Sequence, residues 1–124
     1  MRLRNVSFTT NKGEVNLILE ESGFLAAKGL MNRLELATNA GMLFSFTQED
    51  YHAFWMRNTY IALDLIFVNT ENTVVDIQPG IPHSEADIVP RAPCRYVVET
   101  NQGWAARNDV VIGSKLKLGD LYYG

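Results

Sequence analysis

Leu63-Asp64-Leu65-Ile66-Phe67-Val68, then Asn69-Thr70-Glu71-Asn72, then Thr73-Val74-Val75-Asp76-Ile77, is the stretch on which the fold turns. Two runs rich in β-branched and large apolar side chains flank four polar or turn-forming residues, the pattern of two antiparallel strands joined by a hairpin loop. Upstream, Ala53 to Asn58 predicts a strand that stops at a bend over Thr59 to Ala62. Residues 3–9 alternate weakly, Asn11-Lys12-Gly13 supplies turn chemistry, and Val15-Asn16-Leu17-Ile18-Leu19 answers as a second strand, which makes an opening hairpin. Met42 to Phe46 predicts a short buried strand and Thr47 to Tyr51 a polar surface connection, while Arg95 to Thr100 and Lys115 to Leu118 supply two further strands. Ser22 is placed to cap a short helix carrying Phe24, Ala27 or Lys28, and Met31, and Asn101 to cap a second over Gly103 to Arg107. All four prolines (Pro79, Pro82, Pro90, Pro93) fall in residues 79–93 and mark irregular backbone. The expected class is α+β: a β-rich, curved antiparallel or mixed sheet closing toward a barrel, with two short helices, in one domain over residues 1–124.

Composition narrows the function classes more than it selects one. With 47% hydrophobic and 20% charged residues the chain is an ordinary globular sequence, and no run approaches the ~18 apolar residues of a membrane span. A net charge of −3 with scattered Lys and Arg gives no reason to expect nucleic acid as a partner. Cys94 stands alone, which leaves no intramolecular disulfide, and His52 and His83 lie outside any zinc spacing, so neither metal nor cofactor is expected. Met1-Arg2-Leu3-Arg4-Asn5 has no apolar run behind it. The chain as it stands is expected in the cytoplasm, or exported if a leader has been removed. Oligomeric state is open.

Chemistry is sought where polar groups interrupt apolar runs, because a buried polar group must find a partner or shift its pKa. Asn58 and Asp64 do so, and Arg57, Asn58, Asp64, Arg95 and Glu99 are the candidate residues of one polar pocket beneath the proline-rich loop. The bland alternative has Asp64 accept backbone N–H groups at the Thr59–Ala62 bend while Asn58 braces the same turn. Trp55, Trp104, Phe44 and Phe46 are read first as core and second as an aromatic platform. Cys94 with His83 and Ser84 is read as an inert buried thiol before a nucleophile.

Phe54-Trp55-Met56-Arg57-Asn58-Thr59 followed by Leu63-Asp64-Leu65-Ile66-Phe67 resembles the hallmark of the domain-of-unknown-function family 192, the uncharacterised conserved ACR family. Gly29-Leu30-Met31, Gly41-Met42-Leu43-Phe44 and Tyr96-Val97-Val98-Glu99 with Asn101 and Gly103 resemble its other motifs, over about residues 15 to 120. The resemblance implies a compact β-rich domain with small helices, often exported and sometimes lipid-anchored, and no assigned activity. Ala62 stands where the family usually has Pro, and Lys28 where Arg commonly precedes Gly-Leu-Met. The expected function is a small ligand-binding or accessory module with a polar pocket near Asp64 and Glu99. The alternatives are a hydrolase or lyase using a carboxylate base, and a structural or assembly component.

Overall fold

The computed structural model describes residues 1–22 and 29–124. Strands β1 (Arg2–Thr10) and β2 (Gly13–Glu21) form the opening hairpin, with Thr10 and Gly13 as its last register pair. β3 (Ala40–Asp50) lies parallel to β2, the one parallel strand pairing among the described residues. β4 (Leu63–Val68) and β5 (Val74–Gly80) form the hairpin anticipated at residues 63–77. Asn69 closes it: its side chain accepts the N–H groups of Glu71 and Thr73, and its own N–H donates to the Thr73 carbonyl. β6 (Cys94–Asn101), one helical turn α1 (Trp104–Arg107) and β7 (Lys115–Tyr123) complete the chain.

One seven-stranded sheet results, in the order β5-β4-β6-β3-β2-β1-β7. This corrects the expected class. The chain is nearly all β, with a single four-residue helix among the described residues, and the sheet stays open rather than closing into a barrel. The helix expected after Ser22 lies outside the described residues, and the one at Gly103–Arg107 makes a single turn. The edges β5 and β7 approach each other only at their first residues, through an isolated Thr73–Lys115 bridge and the neighbouring bonds of Val74 and Leu116. β5 then runs on as an unpaired edge through Pro79, and an edge is where a residue without an N–H is tolerated.

Both faces of the sheet are covered. Alternation sends Ile66 and Val68 of β4 to the concave interior, with Phe8, Leu19, Val98 and Trp104, and sends Leu63, Leu65 and Phe67 to the other side, with Phe44, Met56 and Val97. All six β4 residues are therefore buried, which explains a continuous apolar run in place of a polar/apolar alternation. The outer face is roofed by non-strand chain. Phe54 and Ile88 exchange both backbone bonds (3.0 and 2.7 Å), the Met56 N–H donates to the Ser84 carbonyl, and the His83 N–H donates to the Thr59 carbonyl. Three local expectations change accordingly. Phe54 to Asn58 forms one isolated bridge and a turn instead of a strand, β3 continues through the polar residues Thr47 to Asp50, and the proline-rich segment begins as strand.

Candidate functional site

The register of β4 on β6 separates the two acids that the sequence had grouped. Leu65 pairs with Glu99 and Asp64 with Thr100. Directly paired residues project to the same side and neighbours along a strand to opposite sides, so Asp64 enters the concave interior and Glu99 the outer face. The Asp64 carboxylate accepts the Ala105 N–H at 3.0 Å in a buried setting. Helix α1 begins at Gly103 with φ 87° and no side-chain cap of its own, so Asp64, distant in sequence, satisfies an otherwise orphaned donor of its first turn. That is the backbone-acceptor role foreseen for Asp64, at the helix instead of the bend. Asp64→Ala is expected to destabilise the chain by about 2 kcal/mol, and Asp64→Asn, which keeps an acceptor, by less. Urea unfolding of the two variants checks this, and equal stability of Asp64→Ala and the parent would refute the capping role.

Glu99 has a different environment. It is 4% exposed. Desolvation pushes its carboxyl up to about 8, so at neutral pH it is mostly protonated. It lines a cavity of about 390 Å³ beneath the roofing segments. Phe44, Phe46, Phe54 and Trp55 form the aromatic walls, and Gly29, Leu30 and Met31 close one side. Phe54 meets Phe44 edge-on at 5.0 Å and Phe46 at 6.2 Å, while His52 stacks flat on Phe46 at 3.7 Å. Asp87 and Glu99 are the ionisable groups among the described lining residues. A larger depression of about 640 Å³ over β1, β2 and β7 is lined by exposed polar side chains such as Asn16 and Lys117 and carries no buried ionisable group.

The remaining candidates do not join Glu99 directly. Arg57 is exposed, its guanidinium 5.3 Å from the centre of the Trp55 ring at the cavity wall. Asn58 is exposed too, contrary to the burial inferred for it. At φ 53° it holds the left-handed position of a turn closed by the Thr59 N–H on the Met56 carbonyl, and its own carbonyl accepts the Asn32 N–H. Arg95 lies on the Glu99 side of β6, four residues away, or about 13 Å at the usual strand rise. It donates to the Phe46 carbonyl at 3.1 Å and rests on Tyr96. Cys94 is fully buried and burial raises its thiol pKa, which suits an inert core thiol. Among the described residues, no three His, Cys, Asp or Glu side chains are grouped to hold a metal, and no helix is long and apolar enough to cross a membrane.

The cavity residues that sequence reasoning had set aside are the aromatic ones. Three of the four weighed as a platform (Phe44, Phe46 and Trp55) do line it, while Trp104 belongs to the opposite face, donating to the Asn39 side chain. Trp55 at 40% exposure beside Met56 at 1% is the local mark of a surface-lining indole. Asp87 carried no sequence signal, because only the docking of residues 81–90 onto 54–59 brings it to the cavity, and Thr59 was read only as part of a bend.

Fold and cavity together define a small open-sheet domain with a ligand-sized, aromatic-walled cavity on its outer face. The chain belongs to the domain-of-unknown-function family 192, the uncharacterised ACR family, whose model matches residues 6–118. Among solved structures it is similar to a candidate transcription regulator from Sinorhizobium meliloti, with 35% identity, a TM-score of 0.88, and coverage of 94% of this chain and 93% of that one. It is also similar to a protein of unknown function from Novosphingobium aromaticivorans, with 36% identity, a TM-score of 0.84, and coverage of 91% and 83%. No curated protein matches the chain.

Proposed function

We propose that this domain is a small-ligand-binding module and that its site is the Glu99 cavity. One observation carries the reading: a carboxyl on a residue only 4% exposed opens onto a cavity whose volume falls in the ordinary range of ligand pockets. An ionisable group held in an apolar wall costs stability unless something compensates it, and a bound ligand would do so. The candidate set becomes Glu99, with Trp55 and Asp87 toward the mouth and Arg57 beside Trp55. Asp64 leaves it, because its carboxylate caps α1 on the far face. By the same register Asp64 and Glu99 do not form a carboxylate pair that a hydrolase or lyase could use. The regulator name of the Sinorhizobium meliloti relative is not carried over, since the Lys and Arg residues are scattered along the sequence and interleaved with acids.

A thermal-shift screen of the parent and Glu99→Gln against a broad library of small organic molecules tests the proposal. The expected result is at least one compound that raises the parent melting temperature and raises that of the variant less. A library without a hit on the parent, or hits indifferent to Glu99→Gln, would remove the assignment.

A further inference from the structure

The geometry points to a small organic ammonium ion as the ligand of the Glu99 cavity, an inference that rests on the binding reading above and narrows it to one chemical class. Three features of the cavity select that class. Its walls carry four aromatic side chains, Phe44, Phe46, Phe54 and Trp55, within one small volume, and a ring face turned to a cation attracts it through the ring quadrupole. Among the described lining residues the ionisable groups are both acids, Glu99 on the wall and Asp87 at the exposed mouth. The chain itself supplies an example of the interaction, since Arg57 lies over the Trp55 ring. An anionic ligand would have to pass the acid Asp87 at the mouth, and a hydrocarbon would leave Glu99 without a partner.

Among the described residues, the elements packed against Glu99 add no competing cation. Met42 of β3 and Leu65 of β4 are its register neighbours, and Phe44 stands beside it next to Gly29. From the roof, Asp87 is the ionisable contribution to the cavity lining, His52 is occupied against Phe46, and Arg57 stays exposed on the solvent side. Among the described residues the carboxyl therefore stands among apolar and aromatic side chains.

Ion pairing defines what happens on binding. Burial keeps Glu99 mostly protonated at neutral pH. An ammonium ion entering beside it favours the carboxylate, so the O–H proton leaves to solvent and a buried ion pair forms, with charge conserved by release of that proton. A neutral ligand would accept a hydrogen bond from the carboxyl and release none.

Isothermal titration calorimetry of the parent chain near neutral pH, in two buffers of different ionisation enthalpy, separates these cases. Two matched pairs serve as probes: choline with neohexyl alcohol, in which carbon replaces the ammonium nitrogen, and benzylamine with benzyl alcohol. At least one cation is expected to bind at least tenfold more tightly than its uncharged counterpart, to release close to one proton, and to lose at least tenfold in affinity with Glu99→Gln. Equal binding of the uncharged counterpart without proton release would overturn the ammonium inference and leave the binding reading standing. Failure of all four probes would also overturn it, and the broad thermal-shift library then judges the binding reading separately.

Discussion

Glu99→Gln is expected to be more stable than the parent at alkaline pH, with an advantage that vanishes in acid. Burial moves the Glu99 carboxyl from 4.5 up to about 8. Below 4.5 the folded and unfolded chains both hold the proton, and the site is neutral in each. Between 4.5 and about 8 the unfolded chain releases the proton while the folded chain retains it, so stability falls as pH rises, by about 1.4 kcal/mol per pH unit. Above about 8 the folded carboxyl ionises as well and the decline ends. Glutamine reproduces the shape and polarity of the protonated acid but cannot ionise, so the variant lacks this slope. Urea unfolding of both proteins across the range should give curves that converge in acid and separate by several kcal/mol at alkaline pH, a large share of the ~5–15 kcal/mol that holds a typical domain together. Parallel curves would mean that Glu99 is not an uncompensated buried carboxyl, and the cavity assignment would lose its support.

That expectation depends on a burial which the sequence shows only in outline. Val97-Val98-Glu99-Thr100 reads as strand with an acid in an apolar run, and the structure buries that acid. What the sequence lacks is the register that sets Glu99 beside Leu65 and turns Asp64 to the other face. A one-residue slip of β4 on β6 would have placed both acids on one side. The two hairpins were legible because their turns are local: Asn11-Lys12-Gly13 and Asn69 to Asn72 carry their own chemistry. The polar end of β3 was not, because Thr47 to Asp50 is exposed and strand there comes from tertiary pairing rather than from side-chain pattern. Phe54 to Asn58 failed in the opposite sense. Its aromatic and apolar content looks like strand, yet that content covers a face while the backbone bonds of Phe54 and Met56 go to the proline-rich segment. The Asp64 cap joins residues from β4 and α1, and no local spacing rule reaches that far.

Gly41→Ala is the second large effect, and it follows from how closely β3 approaches β6. Gly41 sits in the middle of the sheet, paired with Leu19 of β2 on one side and Thr100 of β6 on the other. A Cβ built there would lie 2.1 Å from the Glu99 carbonyl oxygen and 3.0 Å from Cδ2 of Leu19. The nearer atom is backbone in a central strand, so no rotamer change relieves the clash. β3 and β6 must move apart, which weakens the pairing of Met42 with Glu99 and of Gly41 with Thr100. Overpacking of a well-packed interior generally costs about 1–3 kcal/mol, and an obstacle made of backbone belongs at the top of that range or beyond it. The cavity should respond as well, because Phe44 and Glu99 are carried by the two strands being separated. Urea unfolding is expected to show a loss of about 3 kcal/mol or more, and any compound that stabilises the parent should shift the variant less. A Gly41→Ala chain within about 1 kcal/mol of the parent would contradict the close approach of β3 to β6, and with it the placement of Glu99 against Phe44 on which the cavity depends.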